Sequence, residues 1–311
     1  MLKYVILRTL LIIPILLAVT FITFAIVNFT PGNPARMLLG DNAPPEAVEL
    51  LNHQFGVDRP FFERFFNYVS GIVTRFDFGL SWRTQKPIVG EMLDRFPYTL
   101  TLASLSVVLS TLIGIPVGIL LAAKRVELVD RSVNAIGIIL TSIPTFVLGL
   151  LLMLLFAVEL QWLRVIEQGW KMYILPLVAI VLPAAVSRMR LARTTMLEAI
   201  RQEYVTMARS KGIPEGRVIF VHALKNSMIP LVTNVIMSFS AMLGGALIVE
   251  RVFAIPGLGN YMVNAILQKD MPTILTSTLF MAAIFCVTML ILDIIYALID
   301  PRIKARYVKI K

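Results

Sequence analysis

Long apolar runs recur along this chain, divided by polar segments that carry nearly all of its charge. A helix rises 1.5 Å per residue, so about 20 mostly apolar residues are needed to cross a hydrocarbon layer of roughly 30 Å. Residues 10–29, 98–123, 134–158, 228–249 and 274–299 meet that length. A sixth run, 172–186, is interrupted by Pro176 and Pro183 and reaches full length only by continuing through Ser187 and Arg188 toward Ala192. Prolines are tolerated in membrane helices whose neighbours satisfy the freed carbonyls, so the run is kept as a span. The pattern predicts an all-α integral membrane protein with six transmembrane helices. Between the first two runs lies a polar insertion, 30–97, far longer than a plain connector of about 4–6 residues. Within it, 45–55 reads as a short helix. Further on, Phe62, Phe65, Phe66, Val69, Ile72, Val73 and Phe76 recur at helical spacing and give one apolar face. That face packs on the protein, rests in the lipid interface, or docks something outside.

Composition agrees: 58% of residues are hydrophobic, 15% are charged, and mean hydropathy is +0.81, too apolar for an ordinary soluble chain. Charge then decides sidedness, because basic loops stay cytoplasmic. Six spans with a cytoplasmic start put 18 of the 29 Lys and Arg inside and 12 of the 19 Asp and Glu outside; five spans would put the termini on opposite sides. The expected organisation is an N-terminal segment and first helix at 1–29 and an extracytoplasmic insertion at 30–97. A five-helix core follows at 98–299, with a cytoplasmic loop at 193–227 and a cytoplasmic tail at 300–311. The net charge of +10 follows from membrane sidedness, so membrane lipid rather than nucleic acid is the expected partner. The N-terminal run is longer than a signal-peptide core of roughly 7–15 residues and is expected to stay attached. A single cysteine, Cys286, offers neither a disulfide framework nor a thiolate metal site. Gly114 with Gly118, and Gly244 with Gly245, predict close helix packing, without saying whether the neighbour belongs to this chain.

The inside loop between the fourth and fifth spans carries the most chemistry. Residues 193–211 read as a helix leaving the membrane, with Met196, Ile200 and Met207 at helical intervals. Gly212 supplies a left-handed stop, and Pro214 and Glu215 suit the first turn of a new helix that returns through Val218, Val221 and Leu224. The result is a helix, a sharp corner and a second helix, a rigid knob for a partner.

The run EYVTMARSKG at 203–212, followed by HALKNSMIP at 222–230, resembles the coupling loop of binding-protein-dependent ABC importer permeases of the dipeptide, oligopeptide and nickel type. TPGNP at 30–34, FGLS at 78–81, PGLG at 256–259 and DPRI at 300–303 match the same family in order and spacing. The large insertion is similar to that of the first of the two paired permeases. One departure stands out: the superfamily's loop has Glu-Ala-Ala six residues before the glycine, whereas this chain has Thr206, Met207 and Ala208, so a role for that glutamate does not carry over. The resemblance implies a type I ABC importer permease fold in a prokaryotic inner membrane, with both termini cytoplasmic. It implies that Glu203, Ala208, Arg209, Ser210, Lys211, Gly212, Ile213, Pro214, Glu215 and Arg217 meet a cytoplasmic ATPase subunit. The partners implied are a second homologous permease, one or two ATPase subunits and an extracytoplasmic solute-binding protein. The chain has no G-x-x-x-x-G-K-[ST] run, so it is expected to have no catalytic, metal or cofactor site of its own, and ATP and Mg²⁺ are expected on the partner subunits.

Single residues carry two readings each. Arg188, Arg190 and Arg193 anchor a helix end at headgroups or bind carboxylates. Ser142, Pro144 and Thr145 kink the third span or line a pathway. Glu250 and Arg251 form an interface ion pair or an external gate. Asp293 makes a structural pair or couples an ion. His53 and His222 lack metal-ligand spacing and read as solvated or capping. The expected cargo is a di- or oligopeptide, with nickel or a metal chelate as the rival. An ion-coupled secondary transporter using Asp293, or a membrane scaffold, are the readings from other classes.

Overall fold

A computed structural model describes residues 2–40, 42–124 and 127–299; Arg125, the DPRI stretch and the tail at 300–311 lie outside them. The described chain is helical, and its one β-type pairing is an isolated bridge between Leu80 and Pro87. In order, the helices are α1 (Leu2–Phe29), α2 (Pro34–Leu39), α3 (Pro45–Phe55), α4 (Phe61–Arg75), α5 (Ile88–Lys124), α6 (Glu127–Ser142) and α7 (Thr145–Met153). They continue as α8 (Ile174–Ile200), α9 (Glu203–Ser210), α10 (Glu215–Arg217), α11 (Leu224–Gly245), α12 (Leu247–Val252), α13 (Leu258–Leu267) and α14 (Met271–Ile299). Five stretches are long and apolar enough to cross a membrane: Val5–Phe29, Ile88–Ala123, Gly169–Ile200, Glu215–Gly244 and Met271–Ile295.

The sixth candidate is the run expected over 134–158, with the kink that Ser142, Pro144 and Thr145 predict. It is a bent pair, Ala135–Ser142 and Thr145–Glu159, meeting at 91°. Pro144 has no amide to donate and pushes Ile143 out of the helical region. The end of α6 is closed by hydroxyls, Ser142 Oγ donating to Ile138 O at 2.7 Å and Thr141 Oγ1 to Gly137 O at 2.8 Å. The pair makes a sixth crossing only when counted as one span. The interrupted run at 172–186 continues as expected: α8 runs unbroken through Pro183 to Ile200. Pro176 falls in its first turn, where a missing amide costs nothing. The second span starts at Ile88, well before its apolar run, because Glu91, Asp94 and Arg95 hide two turns whose Ile88 and Met92 are buried.

The chain divides into two compact units. The first comprises the chain up to Thr99 and returns for Pro256–Leu290; the second comprises Leu100–Ile255 and the chain from Ile291 on. In the first unit, Phe21 and Phe24 of α1 meet the rings of Phe61 and Phe65 edge-on at 5.1–5.9 Å.

 Tyr68 of α4 is held there too, its hydroxyl donating to Thr276 Oγ1 at 3.2 Å while Thr276 donates to Phe78 O at 3.0 Å. The apolar face of α4 is therefore split: Phe65, Val69 and Ile72 are half-buried, while Phe62, Phe66, Val73 and Phe76 are left uncovered.

Short sequence motifs act as staples in this unit. Asn33 caps α2, its Oδ1 accepting from Ala35 N at 2.9 Å, with Pro34 in the first turn. Buried Asp270 accepts from Ser81 Oγ at 2.6 Å, Trp82 N at 3.1 Å and Thr273 Oγ1 at 2.8 Å. Leu258 of the PGLG stretch is buried beside Ile88 and Met92 and donates its amide to Thr99 Oγ1 at 2.8 Å.

In the second unit α8 is the central element, packed by α6, α7 and α11. The glycine pair of α5 explains how close its neighbour comes: a Cβ at Gly114 would collide with Ala185 O, and one at Gly118 with Met189 O, both on α8. The partner of that stripe is thus in the same chain. Gly244 differs, since a Cβ there would meet nothing within 4 Å.

Candidate functional site

The corner at 203–217 is built by local backbone chemistry on an apolar seat. The chain leaves α8 at Arg201, and Gln202 is extended (φ −73°, ψ 149°), so α9 starts with a new register. One helix over 193–211 was expected, with Met196, Ile200 and Met207 sharing a face. The break overturns that: Met196 and Ile200 are buried, Met207 is 62% exposed, and Val205 and Ala208 take the inward positions. These four buried residues join Ile119, Ala122, Val218, Ile219 and Ala223 in one cluster, with half-buried Ile213 against it.

α9 ends in a Schellman motif. Gly212 adopts φ +74°, its amide donates to Arg209 O at 2.9 Å, and Ile213 N donates to Ala208 O at 3.4 Å. The apolar contact that accompanies this motif is Ile213 on the cluster that contains Ala208. Pro214 then caps α10, accepting from Arg217 N at 2.9 Å and Val218 N at 3.1 Å. Across the corner Arg209 forms a two-pronged ion pair with Glu215, Nε to Oε2 at 3.0 Å and Nη2 to Oε1 at 2.6 Å. That bond lifts the Arg209 guanidinium further above its ordinary value. The return begins as a π-helical stretch, Val218–Ala223, containing His222. Ser227 Oγ ties α11 back to Thr195 O at 3.2 Å.

The structure thus brings the sequence-predicted coupling residues together and sorts them. Glu203, Ser210, Lys211, Gly212, Pro214, Glu215 and Arg217 are exposed, Ala208 is buried, and Arg209 and Ile213 are half-buried. Sequence reasoning missed Tyr204 and Phe220 and put Met207 on the wrong face; all three are left uncovered around the corner. The signal available for them was the very register that the break at Gln202 resets.

The other candidates do not assemble with the corner. Ser142, Pro144 and Thr145 sit at the 91° bend. Glu250 is fully buried while Arg251 beside it is exposed, and each makes a polar or ring contact. Asp293 is half-buried in α14 and makes such a contact too. The three arginines of α8 part company: Arg190 is exposed and Arg193 half-buried, but Arg188 is 4% exposed, which overturns headgroup anchoring at that position. His53 is exposed and lies 4.0 Å from Asp58.

Comparison with known proteins points the same way as the geometry. The chain is 37% identical over 305 residues, covering 98% of it and 99% of the relative, to the glutathione transport system permease protein GsiC of Escherichia coli (strain K12). The same identity and coverage hold for the protein of that name from Shigella dysenteriae serotype 1 (strain Sd197). Among solved structures, one of the MetNI methionine ABC transporter in inward-facing conformations matches with a TM-score of 0.59 at 20% identity, over 69% of this chain and 99% of that one; it speaks to the fold alone. Residues 1–103 match the N-terminal family of binding-protein-dependent transport system membrane components, and residues 114–305 match the inner membrane component itself. The chain therefore belongs to the binding-protein-dependent transport system inner membrane components, and is a multi-pass permease subunit of an ABC importer.

Proposed function

We propose that this permease carries peptides across the inner membrane, and that the corner at 203–217 is the handle by which a cytoplasmic ATPase subunit moves it. The observation that carries this reading is the corner itself, a short exposed turn locked by a Schellman motif and an ion pair over fully buried Val205 and Val218. A knob so seated passes on a rigid-body displacement instead of absorbing it. Glu203, Ser210, Lys211, Pro214 and Arg217 offer contacts to the ATPase, while Ala208 and Ile213 seat the corner. ATP and Mg²⁺ bind to the ATPase, and the nucleotide state selects which side of the permease is open. A second homologous permease, one or two ATPase subunits and an extracytoplasmic binding protein complete the importer. Both termini are cytoplasmic, with the bent pair counted as a crossing, and this agrees with the basic residues collected on that side. Peptide cargo is supported by relatives that carry glutathione, itself a peptide.

Two measurements test this. Cys286 is the single cysteine and is buried, so Gly216→Cys provides the reactive thiol for a membrane-impermeant maleimide. Labelling is expected in inside-out vesicles and not in right-side-out vesicles; the reverse pattern refutes the coupling role. In proteoliposomes, the complete importer with its binding protein takes up labelled dipeptide when ATP is supplied. Accumulation by this chain alone under a proton or sodium gradient would instead make it a secondary transporter.

A further inference from the structure

We propose that Arg188, with Ser106 and Ser110, forms a carboxylate-binding site inside the second unit that receives a carboxylate of the transported solute. The inference rests on the peptide-importer reading and adds to it a place in the chain where cargo is held.

The site is a cavity of about 270 Å³ among α5, α8 and α11, lined in part by Ser106, Ser110, Ile180, Arg188, Ser238 and Met242. Arg188 is 4% exposed and Ser106 1%. The guanidinium donates from Nη1 to Ser110 Oγ, and Ser110 Oγ in turn donates to the Ser106 carbonyl O. Arg188 Nε and Ser106 Oγ are buried with no hydrogen-bond partner. A guanidinium has five N–H donors and cannot shed its charge. Among the described residues no carboxylate lies within ion-pair distance of it. A buried charge without a counter-charge is costly, and in a membrane span such a residue marks a ligand or ion path. The missing group is therefore an anion with two acceptor oxygens in a plane, the shape a guanidinium fork binds best. The volume leaves room for a carboxylate and the residue that bears it. A lipid headgroup presents a similar charge, but Arg190, two residues further on, is exposed, whereas Arg188 is buried.

The test uses the complete importer in phosphatidylcholine nanodiscs, with acetyl-alanine and its C-terminal amide as probes. The acid should raise the thermal midpoint of the wild-type complex, and the amide should not. Arg188→Gln should abolish that difference, Arg188→Lys should keep part of it, and Ser106→Ala should weaken it, so the site stays testable if one variant fails to assemble. In uptake assays with one binding protein throughout, Arg188→Gln should lower the dipeptide-to-dipeptide-amide ratio by about tenfold or more, the penalty expected when a polar partner is lost from a dry site. An equal fall for both cargoes, an unchanged ratio, or a wild-type complex indifferent to the acid would overturn the site. Stabilisation by phosphatidylglycerol that leaves no response to the acid would overturn it in favour of a headgroup. Loss of all peptide uptake in the wild type, with the acid response present and dependent on Arg188, would remove the peptide-importer reading and leave the site standing.

Discussion

Gly212→Ala isolates what the corner owes to one backbone angle. Gly212 has φ +74°, and a Cβ built there would meet nothing within 4 Å. The substitution thus adds no clash with a neighbouring group and changes only the local conformational energy. An L-residue in the left-handed helical region costs roughly 1–2 kcal/mol. Since about 1.4 kcal/mol is a factor of ten, local opening of the corner should become about 5–30 times more frequent. Gly216 is the matched control. It also has open space around its Cβ position, but it lies inside α10 and its φ is not positive. There alanine should stabilise by about 0.5–1 kcal/mol, because glycine is the worse helix residue. The two substitutions differ by one methyl group each at neighbouring exposed positions, yet their effects have opposite signs.

Hydrogen exchange on the assembled importer reads this directly, because local opening sets the exchange of protected amides. The amides of residue 212 and Ile213 are the donors of the Schellman bonds. They should exchange about 5–30 times faster in Gly212→Ala and no faster in Gly216→Ala. Uptake per ATP hydrolysed should fall in the first variant only. Equal exchange in Gly212→Ala and wild type would refute the reasoning, since the strain would then be absorbed without loosening the turn. Gly212→Pro is the harsher form. It removes the amide that bonds Arg209 O and imposes φ near −65°, so it should uncouple uptake or lose the ATPase on purification.

Three further outcomes are expected. The Arg209–Glu215 pair is partly exposed, with side chains 36% and 55% accessible, so Arg209→Glu or Glu215→Arg should cost less than about 1 kcal/mol in thermal stability; each should still impair ATP-driven uptake, and combining them should restore part of it. Gly114→Leu should prevent α5 from meeting α8 and cost about 1–3 kcal/mol or more, seen as a lower unfolding midpoint in detergent, whereas Gly244→Ala should be close to neutral. Burial pushes the Tyr68 hydroxyl up to about 12, above its ordinary value near 10, so its neutral form favours the fold. That contribution is intact below about pH 10 and is lost as pH rises through about 12. Tyr68→Phe should flatten the alkaline fall in thermal midpoint, and an unchanged slope would show that Tyr68 does not govern it.

The corner was legible in the sequence because its determinants are local. Gly212, Pro214 and Glu215 each act within a few bonds of their own position, and neighbouring elements need not be known to interpret them. The exit of α8 was not legible in the same way. No glycine or proline marks Arg201 or Gln202, and Val205 and Ala208 take their seat in one cluster with Val218 and Ile219, which lie beyond the corner on the returning helix. The bend in the third apolar run lies between these cases. Pro144 announces that a bend exists, but its size is set by what packs on α7, including the ring of Phe253 where a Cβ on Gly149 would have to fit.

Arg188 shows most sharply where the pattern stops informing. At about 100° per residue, Arg190 stands about 200° and Arg193 about 140° around the helix from Arg188. The sequence alone therefore implies that Arg188 and Arg190 point to opposite sides of α8. It does not say which side meets the bundle, because both faces mix apolar and charged residues. Gly114 and Gly118 settle that, since they bring α5 against the α8 backbone at Ala185 and Met189 and leave Arg188 buried on the packed side. A glycine stripe on one helix thus decides the environment of a charge on another. Gly114→Leu should accordingly disturb the carboxylate response at Arg188 as well as the packing, while the same response should survive Gly212→Ala, whose effect is confined to the corner.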